Sequence, residues 1–414
     1  MDLLHAVRRR NPALAQTAAA LHRDGAVPAG SYVLDLDAVG ANAALVARAI
    51  ASAGLAAYYE AKQFGRCPPA GDAIVEAGFS AAIALDSEEA HALHEQGRRI
   101  GHAGHLGQPV RAELRWLVEE VRPEVVTVYD LARAAELSQA AVAAGRVQNV
   151  LLRPVGPADL QLDLVAGGTP EADLPAAAEA VRALPGLRLV GVTSYPALRY
   201  DVRERRFRGT PNLETLARAR ERLERAGVDV RHVNAAGNAC VASAALLAAA
   251  GATHVEPGHA FVGGTPGHFF EDLPEVPALV YVTEITHTSG DVAYAPAGGL
   301  VANFTIGLWN PLLYERLEAC VGADPATLVE RVLTADPPHH AHSDPSAYLY
   351  LRLHQAPGLR GAVGDSVVLG VRTQVYRANE ARIAAVEGLA AGQPRLLGLW
   401  DRTGRPNAAP PAAS

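Results

Sequence analysis

The sequence predicts a parallel (β/α)8 barrel followed by a mostly antiparallel β domain. Eight apolar, strand-like runs alternate with helical periods between residues 56 and 258, which is the pattern of such a barrel. After residue 275 or so, strand-type segments follow one another with turns between them. A doubly wound open sheet is the alternative, but no glycine-rich dinucleotide-binding motif follows the first strand.

The barrel domain is predicted over residues 31–270, after a helical extension over residues 1–30. A strand over 31–39 and a helix over 41–54 open this domain. The strand-like runs that follow cover residues 56–62, 81–86, 101–106, 125–130, 149–155, 188–195, 230–236 and 253–258. The helices between them include 86–97, 131–145, 169–186, 210–227 and 240–251.

The second domain is predicted over residues 271–405 as mostly β. Its strands are expected within residues 278–299, 364–378 and 394–404, and a helical insert is expected over residues 310–333. The proline- and alanine-rich residues 406–414 are predicted to form a disordered tail.

The composition excludes several classes of protein. Hydrophobic residues make up 49% of the 414 residues and charged residues 20%, so the chain can bury a core. A net charge of -7 argues against a nucleic-acid partner. Three widely spaced cysteines and a start without a secretory h-region predict a cytoplasmic protein. The longest apolar run, residues 239–252, is too short to cross a membrane.

Lys62 is the only lysine, because 36 of the 37 basic Lys and Arg residues are arginine. Arginine stays protonated and cannot form an imine, so lysine is required where that chemistry is needed. Lys62 ends the predicted strand 56–62, and the C-terminal ends of barrel strands open into the active-site mouth. Partial desolvation there is expected to lower its pKa. The alternative is an ordinary surface lysine left over by a biased composition.

Two glycine turns follow the last two predicted barrel strands. The segment NAAGNA contains Gly237 and Asn238, and the segment EPGHAFVGG contains Gly258 and His259. Backbone N–H groups on adjacent turns of this kind can hold a phosphate group. Glycine is common in strand–helix turns, so neither turn alone indicates a phosphate site. The unique lysine on the same face of the barrel makes the combination a more specific signal for such a site.

Three segments, LDLDAVGAN (34–42), YYEAKQFG (58–65) and ALDSEEAHALHEQG (84–97), resemble the barrel of alanine racemase and other fold-type III enzymes that use pyridoxal 5'-phosphate (PLP). The resemblance spans roughly residues 31–265 and is closest to the YhfX-type branch. It implies that Lys62 is the Schiff-base lysine and a catalytic base. It also implies that the two glycine turns bind the phosphate, and that Ser194 or Tyr195 faces the cofactor ring.

Glu256 departs from alanine racemase, which has an arginine before the Pro-Gly of this turn. The segment EPGH resembles the EPGR turn of the type III decarboxylases. A carboxylate there would keep the pyridine nitrogen protonated and make PLP a stronger electron sink. The resemblance as a whole implies an amino-acid racemase or epimerase, and Glu256 favours the alternative, a lyase or decarboxylase. A non-catalytic PLP-binding protein is a third alternative, against which the β domain argues.

Tyr294 resembles the β-domain tyrosine of alanine racemase that enters the partner subunit's site, which implies a homodimer with shared active sites. The competing interpretation is a tyrosine packed in a core or an interface. Arg153 and Arg372 are candidates for binding a substrate carboxylate. The histidine-rich residues 337–345 lack a nearby cysteine and lie in a proline-rich context, so we predict no metal site.

Overall fold

The structure is a computed structural model that describes residues 3–162, 165–298, 300, 317–336, 349–375 and 382–407. Two sheets organise this part of the chain, one of eight strands and one of ten. The eight-stranded sheet is parallel throughout, and the ten-stranded sheet is antiparallel except for one strand pair. The predicted fold class is therefore confirmed.

Among the described residues, the α-helices lie in the first two thirds of the chain. They are α1 Leu3–Arg10, α2 Pro12–Arg23, α3 Leu36–Ser52, α4 Pro68–Glu76, α5 Ser87–Glu95, α6 Leu114–Trp116, α7 Leu131–Ala143, α8 Leu174–Arg182, α9 Pro211–Arg225 and α10 Ala244–Ala249. Three of them, α3, α5 and α7, begin shortly after a strand. At these three starts, the carboxylates of Asp35, Asp86 and Asp130 each accept a hydrogen bond from a backbone N–H group in the first turn of the helix. Such side chains fix the start of a helix because they satisfy donors that have no partner within it.

The strands occur throughout the described chain. They are β1 Ser31–Asp35, β2 Ala56–Ala57, β3 Ala82–Ala84, β4 Ile100–Ala103, β5 Val125–Val128, β6 Gln148–Leu152, β7 Pro154–Val155, β8 Thr169–Pro170, β9 Leu187–Ser194, β10 Leu198–Asp201, β11 Arg206–Gly209, β12 His232–Ala235, β13 His254–Val255, β14 Leu279–Glu284, β15 His287–Ser289, β16 Val292–Pro296, β17 Leu317–Gly322, β18 Val332–Ala335, β19 Tyr350–His354, β20 Ser366–Leu369, β21 Arg382–Glu387 and β22 Arg395–Trp400.

The barrel strands follow the order β2-β13-β12-β9-β6-β5-β4-β3. A parallel bridge between Tyr59 and Ala82 joins the two ends of this order and closes the barrel. Each of the eight predicted strand-like runs overlaps one of these strands. The parallel arrangement brings all C-terminal strand ends to one end of the barrel, where the side chains that follow them can meet.

The strand at Ser31–Asp35 lies in the second sheet, although we placed it at the start of the barrel domain. It pairs antiparallel with β14 and parallel with β21. The strand is also shorter than predicted, because the Asp35 carboxylate caps α3 and the helix begins at Leu36. The full order of the second sheet is β15-β16-β19-β18-β17-β20-β14-β1-β21-β22.

The predicted helical insert over residues 310–333 is wrong where the structure describes it. The antiparallel strands β17 and β18 occupy most of this region, and residues 310–316 lie outside the described residues. Leu317, Ala319 and Val321 face the large core, whereas Cys320 faces the N-terminal helices. Because both faces of β17 are buried, its sequence lacks the polar alternation that distinguishes a strand from a helix.

The helical extension forms two helices, α1 and α2, which cover one face of the second sheet. Val7, Leu14 and Ala18 are fully buried there against sheet residues such as Val280 and Val368. Of the predicted tail, residues 408–414 lie outside the described residues. Within the described ranges, no helix combines the length and apolar character needed to cross a membrane.

Candidate active site

An open pocket lies where the C-terminal ends of the barrel strands meet the second domain. It encloses about 650 Å³ of empty space, including solvent at its mouth. The segments that follow β2, β9, β12 and β13 supply Lys62, Tyr195, Gly237 and His259, and the second domain supplies Arg372. Three of the predicted elements, the unique lysine and both glycine turns, therefore meet in one place.

Lys62 lies in this pocket beside Glu60. The Lys62 Nζ donates a hydrogen bond to Glu60 Oε1 over 2.9 Å, and the two side chains are only 7% and 14% exposed. Burial alone would lower the pKa of Lys62, but the attraction of Glu60 and this hydrogen bond outweigh that effect, so the pKa is raised. The expectation of a lowered pKa is therefore wrong for the protein without its cofactor.

The first glycine turn lies against the ring of Tyr195. Gly237 has a φ of +108°, and Asn238 follows with a φ of +58°. A Cβ on Gly237 would lie 3.3 Å from two carbons of the Tyr195 ring. The Asn238 side chain donates to the carbonyl of Leu198 over 3.1 Å and so holds this unusual backbone. Glycine at 237 therefore serves both the conformation and the close approach.

The second glycine turn lies against the Glu60 side of the pocket. A Cβ on Gly258 would lie 2.5 Å from Gln63 Oε1 and 2.6 Å from Glu60 Oε2. His259 Nδ1 accepts hydrogen bonds from Gln63 and Arg372, and its Nε2 donates to the Thr373 carbonyl over 3.1 Å. Burial, with the nearby positive charges of Arg372 and Lys62, lowers the pKa of His259 well below its ordinary value. The ring is therefore neutral.

Glu256 lies in a buried polar network inside the barrel. Its Oε1 accepts hydrogen bonds from His102 Nδ1 over 2.7 Å and from Asn234 Nδ2 over 2.8 Å. Its Oε2 has no hydrogen-bond partner among the described residues, and His105 Nε2 lies 3.7 Å away. The His105 ring in turn lies 6.3 Å from the Tyr195 ring, which connects this network to the pocket.

This network offers three ligand atoms, from His102, His105 and Glu256, within 4.8 Å of one another. However, His102 donates to Glu256 through Nδ1 and accepts from the Thr127 hydroxyl through Nε2 over 2.6 Å. A metal ion would have to break these bonds, so we interpret the cluster as a hydrogen-bond network. Burial, followed by the charges of His102 and Arg153, lowers the pKa of His105 well below its ordinary value.

Residues 34–266 match the family of the alanine racemase N-terminal domain. The chain belongs to this family. The cofactor of the family is PLP, as the resemblance implied. The chain is also 31% identical over 401 residues to the uncharacterized protein YhfX of Escherichia coli (strain K12). This match covers 97% of this chain and 98% of the relative.

Solved structures share the fold at low sequence identity. D-threonine aldolase from Filomicrobium marinum has a TM-score of 0.66 at 19% identity, covering 92% of this chain and 96% of that one. D-threo-3-hydroxyaspartate dehydratase from Delftia sp. HT23 has a TM-score of 0.66 at 16% identity, covering 90% and 97%. Alanine racemase of Clostridium difficile 630 has a TM-score of 0.58 at 13% identity, covering 91% and 99%.

The residues of the pocket fit PLP. The primary amine needed to hold its aldehyde is Lys62, and the turns at Gly237 and His259 line the same pocket with backbone of the kind that binds phosphate groups. The Oε2 of Glu256 is a buried acceptor without a hydrogen-bond partner in the described chain, as a protonated ring nitrogen requires. These groups come from separate strands, and the barrel brings them together.

Ser194 and Arg153 are among the predicted site residues that do not line the pocket as the structure describes it. Ser194 is fully buried, and its Oγ accepts from Asn212 over 3.3 Å. Tyr195 lines the pocket instead, so it is the better candidate for packing against the cofactor ring. Arg153 is 1% exposed and donates to the Tyr129 hydroxyl and to the Val165 carbonyl.

Tyr294 lies on β16, near the edge of the second sheet, and is absent from the pocket wall of the described chain. Its ring stacks on His287 at 4.6 Å and meets Tyr350 edge-on at 6.2 Å. His287 and Tyr350 are exposed, so Tyr294 belongs to a surface cluster and not to a core. The histidine-rich residues 337–345 lie outside the described residues.

Sequence reasoning missed several site residues, above all Glu60, Gln63 and His102. Glu60 stands two positions before Lys62, but this spacing by itself carries no chemistry. The segment GHAGH, which contains His102 and His105, was interpreted only as a strand. Two histidines at the end of a barrel strand were a signal that could have pointed to the site.

Proposed function

We propose that this chain is a PLP-dependent enzyme that acts at the α-carbon of an amino acid. The single observation that supports this proposal is the position of its only lysine, which lies in the pocket between two glycine turns. PLP bound there supplies an electron-accepting ring that stabilises negative charge at the α-carbon. The three cysteines are buried and form no disulfide bond, which supports a cytoplasmic location.

The predicted site residues in and beside the pocket have proposed roles. Lys62 attaches the cofactor and moves a proton at the α-carbon, and the backbones at Gly237 and Gly258 bind the phosphate together with Asn238 and His259. Tyr195 would hold the face of the ring, and Glu256 Oε2 would be the acceptor for the ring nitrogen. Arg372 is the proposed carboxylate receptor, because it lines the pocket whereas Arg153 does not.

The first candidate reaction is racemisation or epimerisation. It requires a second base on the face of the α-carbon opposite Lys62. Tyr294 from a second copy of the chain is the proposed base, and its place in a surface cluster makes it available to a neighbouring molecule. The active form would then be a homodimer with shared sites.

The second candidate is a lyase or decarboxylase reaction, which the buried carboxylate of Glu256 favours. An acceptor of full negative charge keeps the ring nitrogen protonated and strengthens the electron sink. Deuterated amino acids separate the two candidates. A racemase replaces the α-deuterium with a solvent proton and inverts the configuration at the α-carbon. A lyase or decarboxylase releases a fragment or carbon dioxide, and any α-deuterium that it exchanges is replaced with retention of configuration.

The attachment site is tested by borohydride reduction of the enzyme with PLP bound, followed by peptide mapping. We expect the pyridoxyl mass on the peptide that contains Lys62, and none after Lys62→Arg. Because the chain has no other lysine, the N-terminal amine is the remaining primary amine. A label confined to that amine would show that the proposed function is wrong.

A further inference from the structure

We propose that Glu60 is a second catalytic acid–base residue, which takes up and returns the proton of the Lys62 nitrogen. This inference rests on the proposed function, in which Lys62 is the reacting amine. The two atoms are already in contact, since Lys62 Nζ donates to Glu60 Oε1 over 2.9 Å. The transfer thus needs no movement of either side chain and no water molecule between them.

The second carboxylate oxygen fixes the orientation of Glu60. Gln63 Nε2 donates to Glu60 Oε2 over 2.6 Å, so Oε1 remains turned to the lysine. Gln63 is fully buried and also contacts His259 Nδ1. A carboxylate held in this way is positioned for one partner, whereas an incidental surface ion pair is free to exchange partners.

Two other titratable groups of the pocket wall, His259 and Tyr200, hydrogen-bond residues other than Lys62. His259 uses one ring nitrogen to accept from Gln63 and Arg372 and the other to donate to Thr373. The Tyr200 hydroxyl donates to Glu271 over 2.7 Å, and burial with this bond raises its pKa. Among the described residues of the pocket wall, Glu60 is the one carboxylate.

The proposed step is a balanced proton transfer. The Lys62 ammonium gives one proton to the Glu60 carboxylate, which leaves a neutral amine and a neutral carboxylic acid. The amine then has the free electron pair that bonding to a carbonyl carbon requires. The reverse transfer restores both charges. Tyr195 and Glu89 also face Lys62 and raise its pKa, but Glu60 has the largest effect that opposes burial.

The unique lysine gives this inference a direct test in the protein without cofactor. Lysine labelled with ¹³C at the ε-carbon yields a single side-chain NMR signal, whose pH titration reports Lys62 alone. We expect its midpoint above the ordinary value of 10.5 in the wild type and below 10.5 in Glu60→Gln, because only the smaller effects of Tyr195 and Glu89 then oppose burial. The control Glu221→Gln removes an equal charge from an exposed site on α9 and should leave the midpoint unchanged.

The second readout is the turnover of the enzyme with PLP bound. We expect Glu60→Gln to retain PLP on Lys62 but to lose turnover by about 10²- to 10⁴-fold, as for a missing acid–base group. Glu60→Asp should restore part of the turnover, which a merely structural role would not explain. The inference is overturned if Glu60→Gln leaves both the midpoint and the turnover unchanged while borohydride still labels Lys62. Absence of the label would instead contradict the proposed function itself.

Discussion

Acid is expected to destabilise the folded chain below pH 6.5, because several of its histidines have lowered pKa values and stay neutral in it; two of them, the partly buried His254 and the buried His268, give the size of the effect. Burial, with repulsion from His102, lowers the pKa of His254 to about 4. Burial also lowers the pKa of His268 to about 4, since its hydrogen bond to the Glu275 carbonyl offsets only part of the effect. Below pH 6.5 the unfolded chain binds protons at both sites before the folded chain does, so acid favours unfolding.

The size of the effect follows from these values. The full window from pH 6.5 to about 4 spans 2.5 pH units, which is worth about 3.4 kcal/mol for each histidine. At pH 5 about 2 kcal/mol of this is already lost at each site, or about 4 kcal/mol for the two together. A loss of this size is a large fraction of the free energy of unfolding of an ordinary domain.

The assay is urea unfolding at pH 7, 6 and 5, with His268→Gln as the test variant. Between pH 7 and 5 we expect the variant to lose about 2 kcal/mol less free energy of unfolding than the wild type. His5→Gln, at an exposed histidine on α1, is the matched control and should keep the wild-type dependence. Parallel curves for His268→Gln and the wild type would refute the assignment of a neutral buried ring.

Three further predictions concern the site. In Glu256→Gln, the amide oxygen keeps the hydrogen bonds from His102 and Asn234, so the NH₂ group takes the position of Oε2 and is a donor where the wild type has an acceptor. We therefore expect turnover, measured by initial rates, to fall about 10²-fold with PLP still bound. Tyr294→Phe should abolish racemisation in a chiral assay while borohydride still labels Lys62, and surviving racemisation excludes this tyrosine as the second base. Gly258→Ala should weaken PLP binding at least 10-fold in equilibrium dialysis, because its methyl group displaces Glu60 and Gln63. Gly40→Ala, whose nearest contact would be 3.8 Å away, is its control.

The barrel was predictable because its signals are local. Each strand-like run is a short apolar segment followed by a helical period, and a parallel barrel then places every C-terminal strand end on one face. This reasoning was enough to expect Lys62 and the turns at Gly237 and Gly258 in one pocket. The structure brings all three together.

The pairing of strands that lie far apart in the sequence could not be predicted from local patterns. The strand at Ser31–Asp35 has the same apolar character as a barrel strand, and only its partners β14 and β21 assign it to the second sheet. Likewise, residues 317–322 contain helix-forming residues, and strands on both sides make them β17. In both cases tertiary contacts override local preference.

The electrostatics of the site were equally hidden. The pKa of Lys62 depends on the contact with Glu60, and that contact forms because the chain leaves β2 at Ala57 and makes a tight turn at Lys62. The network around Glu256 joins residues that follow or end three different strands. The spacing of these residues in the sequence gives no distance between their side chains. That Glu256 Oε2 has no hydrogen-bond partner among the described residues could therefore be found only in the folded chain.

The place of β1 between β14 and β21 has a consequence for synthesis on the ribosome. The segments α1, α2 and β1 are made before the barrel, but the strands that complete their sheet follow only after the whole barrel has been made. The apolar faces of α1 and α2 and both edges of β1 therefore stay uncovered while the barrel folds. Unpaired strand edges of this kind favour aggregation, so a chain interrupted after residue 278 is expected to be insoluble even if its barrel is complete.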